Sequence, residues 1–348
     1  LDFREVRNIA NRNDVAKRVK VSGATVSRVF NKPDVVSPEV RQRVLEAARE
    51  LNYHPNKIAS NFVKGISGNI GVIVPLFVDA DRILSSYYIS HLLGTIGKNL
   101  NEKGYDLVLF FHEKDPNGEN DYTKYFRNGK VDGCIFLSTR SNDKGLQRLK
   151  ETDYKFCVIE DCYDDPHINS IALDDFTGAY KAVEHLIELG HRKIAFLAGP
   201  TDIRSANDRH RGYLKALTDY SLPVREDFII QCYFAEKDGY DAAFTLLKNS
   251  VIPTAVFCAN DDTAIGLMKG LMMQKVRIPD DIAVVGYDDA PVATMIEPNL
   301  TTVRNPLNSI GQRCVEEFIK VVSGESKEHF HILIEPELII RESSVKKS

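Results

Sequence analysis

The 348-residue chain contains no tryptophan, only four methionines, and no long unbroken apolar run. The last absence excludes a helical membrane span, which needs roughly 20 consecutive apolar residues. Its six cysteines (Cys134, Cys157, Cys162, Cys232, Cys258 and Cys314) form no C-x-x-C pair. Cys134, Cys157 and Cys258 stand inside the apolar stretches GCIFL, FCVIE and VFCAN. They read as reduced core residues of a cytosolic protein, not as metal ligands. No Walker A motif, G-x-S-x-G elbow or H-E-x-x-H occurs. The spaced glycines of GISGNIG precede a strand-like run instead of following one, so they are no dinucleotide fingerprint. The nine histidines show no ligand spacing; His91, His185 and His191 lie on or beside helical stretches, where surface or cap roles are usual. No cofactor, metal or catalytic group is therefore expected. The opening residues, LDFREVRNIANR, carry charge throughout and lack the apolar centre of a secretory signal, so a cytoplasmic location is expected.

What is present is an ordinary globular composition, 43% hydrophobic, in a chain long enough for two or three domains. The charge is uneven. Residues 1–64 hold 13 Lys or Arg against 7 Asp or Glu, a net of +6. The whole chain is −4, which leaves −10 for the remainder. A basic head on an acidic body points to a polyanionic partner for the head.

Three helices fit the head. The first spans about 13–19, with Val15, Ala16 and Val19 as its apolar stripe. The second spans 23–30 behind the capping residue Ser22. The third starts at Ser37-Pro38-Glu39, an N-cap, a proline tolerated in the first turn and an acid at the positive helix end. Val40, Val44, Leu45, Ala48 and Leu51 then recur at helical spacing. The segment HPNKIASNFVKG that follows can make two turns at most, which is marginal alone in water.

From residue 69 the pattern changes. Strand-length apolar runs (NIGVIVP, YDLVLFF, DGCIFLS, KFCVIE, RKIAFLAG, TAVFCA, DIAVVGYD) alternate with helices near 86–103, 119–129, 143–151, 175–189, 205–219, 236–249 and 261–274. Strands that are apolar throughout, with helices between them, imply parallel sheets covered on both faces. Seven such strands before residue 290 favour two α/β lobes over one sheet. LTTVRN and HFHILIEPELIIRES add late strands.

The stretch KVSGATVSRVFN, residues 20–31, carries the first functional reading. Ala24, Val26, Val29 and Phe30 suit a core, while Gly23, Thr25, Ser27 and Arg28 form a small, hydroxylated outer side with one guanidinium. That surface suits a DNA major groove, about 12 Å wide, which admits a helix with small flanking side chains and one long donor. With the preceding helix it makes a helix-turn-helix, closed where Ala16 lets the two helices touch. Arg28 reaches a guanine edge; Thr25, Ser27 and the helix N-terminus hold phosphates. The turn position usually taken by glycine is Lys20. A left-handed backbone there costs roughly 1–2 kcal/mol, and the lysine can add a phosphate contact.

The stretches NDVAKRVKVSGATVSRVFN, VSPEVRQRVLEAARELNYHPNKIASNFVKG, AVEHLIELGHRKIAFLAGP, RHRGYLKAL, CANDDTAIGLMKGL and DIAVVGYDDAP…PNLTTV together resemble the LacI/GalR family of bacterial transcriptional regulators, over residues 13–342. The resemblance implies an α/β protein. It would have an all-α helix-turn-helix head at 13–54, a hinge at 55–68 and a two-lobed, periplasmic-binding-protein-like core of parallel sheets at 69–342. Lobe 1 would take about 69–170 and 300–328, and lobe 2 about 171–299 and 329–342. Residues 1–12 are left as an unassigned extension and 343–348 as a tail.

Carried over by position, Gly23 and Ala24 fall where the family's main sequence-reading side chains sit. Both are small here, which shifts readout to Arg28 and to contact between Ala24 and a thymine methyl. Lys20, Ser22, Thr25, Ser27 and Asn31 complete the expected head surface. In the hinge, Asn56 and Ala59 accompany Phe62, which takes the place of the leucine that the family wedges into the minor groove. In the core the expected effector residues are Arg209, Asn260 and Asp288, with Asp161, Tyr88 and Phe234. Carboxylate, amide and guanidinium groups would bond sugar hydroxyls while aromatic rings cover the sugar face. Asp289 and the run Asp164-Asp165 read as solvated loop charges.

The expected function is a homodimeric repressor of carbohydrate-utilisation genes. It would bind a pseudo-palindromic double-stranded operator and answer to a small sugar or related metabolite. The tail ESSVKKS lacks a leucine heptad, which favours a dimer over a tail-stitched tetramer. A periplasmic-type sugar receptor is the rival reading, with an enzyme further behind.

Overall fold

The computed structural model describes residues 10–31, 33–54, 61, 65–76, 86–113, 120–137, 143–160 and 165–345. The expectations for Asn56, Ala59, Phe62 and Asp161 lie outside them, as does that for the Asn31 side chain. The chain divides into two compact units, residues 1–67 and 68–348.

In the first unit, α1 is Arg12–Val19, α2 Gly23–Asn31 and α3 Pro38–Glu50. Helix α1 starts one residue before its apolar stripe suggests, because Asn11 and Asp14 form a reciprocal capping box. The Asn13 N–H donates to Asn11 Oδ1 and the Asn11 N–H to Asp14 Oδ2, each at 2.8 Å. Residues 11 and 12 thus belong to the head and not to an extension. Val15, Val26 and Val44 are fully buried at the centre of the three helices, and the Phe30 and Tyr53 rings meet edge-on beneath them.

The described residues of the second unit form two six-stranded sheets. Strands β1 Asn69–Leu76, β2 Asp106–Glu113, β3 Gly133–Leu137, β4 Phe156–Ile159, β5 Asn169–Leu173 and β11 His331–Ile334 form the first, in the order β11-β5-β4-β3-β1-β2. Strands β6 Ile194–Ala198, β7 Ile229–Gln231, β8 Ala255–Cys258, β9 Ala283–Asp288, β10 Thr301–Arg304 and β12 Glu337–Ile339 form the second, in the order β12-β10-β9-β8-β6-β7. Among the described residues every pairing is parallel except that of β10 with β12. Alternate residues of the same strand feed opposite cores. Ile70, Val72 and Val74 of β1 pack with one, and Ile73 packs with another. Ala283, Val285 and Tyr287 of β9 face one core while Val284 faces the other. Helices α4 Tyr87–Glu102, α5 Lys144–Lys150 and α10 Leu307–Ser323 cover the first sheet; α6 Asp175–Glu188, α7 Arg204–Asp219, α8 Glu236–Leu247 and α9 Asp261–Met273 cover the second.

The sheets correct several expectations. The first crossing between lobes follows β5, after residue 173 instead of 170. Strand β10 still belongs to the second sheet, so the next crossing lies at 305–306 and not near 300. Strand β11 belongs to the first sheet, so the last crossing is at Glu335-Pro336. The first and last crossings touch: the Asp174 N–H donates to the Ile334 carbonyl at 2.9 Å. The helix expected over 119–129 is only a 3-10 turn, Tyr122–Tyr125. Ser343 and Ser344 are no loose tail. The Ser343 hydroxyl donates to the Val284 carbonyl and accepts from the Thr301 N–H, while Ser344 Oγ pairs with Thr301 Oγ1 and with Nε2 of the buried His185. Five of the cysteines are buried free thiols, with Cys157 and Cys314 Sγ 3.8 Å apart; Cys162 lies outside the described residues. Among the described residues no helix is long and apolar enough to cross a membrane.

Candidate functional site

Two surfaces carry the chemistry. On the head, Lys20 takes the left-handed conformation anticipated for it, φ 55° and ψ 48°, and its backbone N–H closes α1. The Val21 N–H returns to the Ala16 carbonyl at 3.0 Å, and Arg43 donates to the Val19 carbonyl at 2.8 Å. The turn is thereby fixed. Ser22 Oγ accepts the Thr25 N–H at 3.0 Å and pairs with the Thr25 hydroxyl at 2.9 Å, which caps α2. Ser22, Ala24 and Arg28 are exposed; Gly23, Thr25 and Ser27 are half-buried. Ala24 therefore faces outward and is not a core residue. A Cβ at Gly23 would stand 3.3 Å from both Arg12 Nε and Asn13 Oδ1. The start of α1 is thus beside the start of α2, and Arg12 adds a guanidinium that the sequence reading leaves unassigned.

In the core, groups from both lobes gather at the carboxyl ends of the parallel strands, where open α/β sheets bind ligands. Lobe 2 supplies Arg209 from α7, Asp175 from the start of α6, Asn260 before α9, and Asp288 at the end of β9. Lobe 1 supplies Tyr87, Tyr88 and Glu160. Arg209 is 4% exposed. Its Nε donates to Asp175 Oδ1 at 2.8 Å, its Nη1 to the Ala259 carbonyl at 2.5 Å, and its guanidinium carbon stands 3.8 Å over the Tyr287 ring. Burial pulls the Arg209 pKa down, but Asp175, Tyr287 and Asp288 outweigh it and hold the group firmly charged. Burial raises the Asp288 carboxyl well above the usual range; Arg209 opposes this, and Asp261, Asp262 and Glu160 reinforce it. Burial also raises Tyr88, whose hydroxyl faces Glu160 and senses Asp175 and Arg209. Tyr87 senses Asp289 and Asp288.

Backbone strain concentrates in the same place. Glu160, Phe234, Asp288 and Asp289 have φ of 76°, 59°, 123° and 53°. Non-glycine residues at such angles cost of order 1–3 kcal/mol each and cluster at functional sites. The Phe234 ring lies over Gly199, where a Cβ would come within 2.4 Å of it.

A profile for bacterial regulatory proteins of the lacI family matches residues 13–56, and one for the periplasmic binding protein-like domain matches 183–344. The HTH-type transcriptional repressor PurR of Mannheimia succiniciproducens is 31% identical over 340 residues, covering 97% of this chain and 99% of that protein. The PurR repressor of Histophilus somni is 30% identical over 336 residues, covering 96% and 99%. The chain belongs to the lacI family of bacterial regulatory proteins. Among solved structures, the lac repressor dimer bound to operator and the anti-inducer ONPF matches with a TM-score of 0.83 at 28% identity, covering 97% of this chain and 99% of that one. The transcriptional regulator CelR in complex with cellobiose matches at 0.73 and 29%, covering 96% and 99%. These relatives are transcriptional regulators and not enzymes.

Within this lacI-family fold the expected effector residues Arg209, Asn260, Asp288, Tyr88 and Phe234 come together, but some have structural duties as well. Asn260 Oδ1 accepts the Thr263 N–H at 3.2 Å as the cap of α9, and its Nδ2 donates to the Phe234 carbonyl at 3.2 Å. Asp289 is not a solvated loop charge. Arg304 and Arg341 donate to its two oxygens at 2.7 and 2.5 Å. Asp165 is likewise engaged, paired with Lys150 at 3.1 Å. The sequence reading misses Asp175, Glu160, Tyr287 and Asn305. Glu160 does carry a signal, since it directly follows the apolar strand run of β4.

Proposed function

We propose that this lacI-family regulator represses transcription by binding a pseudo-palindromic operator as a homodimer, and that a small sugar or sugar derivative held between the core lobes sets its affinity for DNA. One observation carries the reading. The exposed face of α2 is small and hydroxylated around Arg28, on a turn locked by Lys20, Ser22 and Arg43. Such a helix enters a major groove with Arg28 as a bidentate donor to guanine. Thr25, Ser27 and the helix N-terminus hold phosphates, Lys20 adds a phosphate contact, Ser22, Gly23 and Asn31 complete the DNA-facing surface, and Ala24 meets a thymine methyl. Asn56, Ala59 and Phe62 act in the central minor groove, with Phe62 as the wedge. The core of strained backbone, Arg209, Asp288 and aromatic rings supports an effector site, to which Asp161 also contributes. The relatives solved with cellobiose and with ONPF support a sugar-like ligand. The ligand acts by its differential affinity for two lobe arrangements, typically about 1–3 kcal/mol of coupling. The domain limits are a head of 11–54, a hinge of 55–68 and a core beyond it, and the protein works in the cytoplasm.

A gel-shift titration with palindromic DNA, with and without sugars, tests the reading. Salt-sensitive, sequence-selective binding that a sugar alters is the expected result; sugar binding without any DNA binding would leave a receptor instead.

A further inference from the structure

The first residue of α2 is a glycine that its backbone does not require. The φ of Gly23 is not positive, so a side chain there would meet no left-handed strain. What the missing side chain leaves is room. A Cβ on Gly23 would stand 3.3 Å from Arg12 Nε, 3.3 Å from Asn13 Oδ1 and 3.8 Å from Arg12 Cζ. The Arg12 guanidinium therefore lies along the start of α2, in the space that a side chain at position 23 would take.

Arg12 is itself placed against local preference. It is the first residue of α1, where the helix dipole favours an anion over a cation. It is exposed. Among the described residues its guanidinium makes no hydrogen bond and no ion pair, whereas Arg18 pairs with Glu50 at 3.0 Å and Arg43 donates to the Val19 carbonyl at 2.8 Å. An unpartnered cation at the positive end of a helix, beside a residue trimmed to admit it, breaks local rules in the manner of functional residues.

We propose that Arg12, from α1, reads a guanine in each half-site, and that Gly23 is small to give its guanidinium a path into the groove. The inference rests on the DNA-binding reading of the head above. In a helix-turn-helix the N-terminal residues of the second helix approach the base edges, so a guanidinium lying along Gly23 enters the same groove. Its planar fork donates two parallel bonds to guanine O6 and N7, which a lysine ammonium does not copy. Readout is thereby divided between two helices, with Arg28 acting from α2 and Arg12 from α1 on different base pairs.

The test uses full-length protein. Wild type first selects a preferred duplex from a random-sequence library. Fluorescence anisotropy then gives the affinity of that duplex and of its symmetric single-base variants for wild type, Arg12→Ala, Arg12→Lys, Arg28→Ala, Gly23→Ala and Gly23→Leu. Replacing the guanine that Arg12 reads should weaken wild type about tenfold. Arg12→Ala and Arg12→Lys should both lose that discrimination and keep it at the pair that Arg28→Ala levels. Gly23→Ala and, more so, Gly23→Leu should blunt discrimination at the pair that Arg12→Ala levels. Discrimination is a ratio within one variant, so a partly unfolded preparation does not imitate its loss. Equal weakening of every duplex by Arg12→Ala, restored by Arg12→Lys, would make Arg12 a phosphate contact and overturn the inference. So would levelling of the pair that belongs to Arg28, or full discrimination at the Arg12 pair in whichever Gly23 variant still binds. A selected duplex that Arg12→Ala binds like wild type refutes the inference alone. If wild type selects no sequence, the DNA-binding reading fails and the inference falls with it.

Discussion

Arg209 and Asp175 form a 2.8 Å ion pair in which each side chain is 5% exposed. The pair ties the middle of α7 to the first residue of α6, just past the first crossing between the lobes. It is therefore both part of the cleft and a fastening beside that crossing. Breaking a buried pair by removing one partner costs about 3–5 kcal/mol, since the other charge is left without compensation. Asp175→Asn should lower the urea midpoint accordingly and blunt any ligand response. An unchanged midpoint would show that Arg209 finds another anion, with Asp288 the nearest candidate.

Arg28 is the one long donor on the outer face of α2, flanked by Ala24 and Ser27. Arg28→Ala should cost about 1–3 kcal/mol of operator affinity and relax preference at one base pair per half-site. Binding measured on an operator and its single-base variants decides this; equal weakening on every sequence would make Arg28 a phosphate contact.

Phe62, outside the described residues, is assigned the minor-groove wedge by its position in the hinge. An inserted apolar side chain kinks the duplex by about 20–90°. Phe62→Ala should reduce that bend, read as mobility in a circularly permuted gel series, and unchanged mobility would remove the wedge role.

Asp261 links three elements of lobe 2. Its Oδ1 accepts the Thr302 hydroxyl at 2.6 Å and its Oδ2 the Ala290 N–H at 2.8 Å. Burial lifts its pKa to about 7 against the pull of those two bonds. The folded state thus holds this proton more tightly than the unfolded chain. The resulting stabilisation is complete below about pH 4, the unfolded carboxyl range, and is lost as pH rises toward 7. The stability of wild type relative to Asp261→Asn should fall across that window in denaturant melts and level off above it. A difference that rises with pH would contradict the burial of this carboxylate.

Much of the architecture is legible from local chemistry. The Ser22-capped start of α2, the start of α3 at Pro38, the left-handed Lys20 and the apolar strands before residue 290 follow from residue types at fixed spacing, although Ser37 makes no side-chain cap bond to α3. The failures have physical causes. Strand β7 is three residues long and half-exposed, and β5 carries only three apolar residues, so neither has a run long enough to register. Helix α10 starts at Leu307 after the N-cap residue Pro306, with no side-chain cap, and so gives no start signal. The crossings between lobes are set by strand pairing, which no local pattern encodes. In the cleft, Asn260 and Asp288 are visible because each ends a strand run. Asn305 and Tyr287 are visible only through what they touch, 17 residues away in one case and across α6 and α7 in the other.

The most direct test is fluorescence anisotropy of full-length protein titrated into labelled genomic fragments at low ionic strength, with and without a low-mass metabolite fraction. The account predicts that a small subset of fragments sharing an inverted repeat binds far more tightly than the rest, and that the fraction shifts this affinity. Uniform weak binding to all fragments, unaffected by metabolites and unchanged by Arg28→Ala, would contradict it.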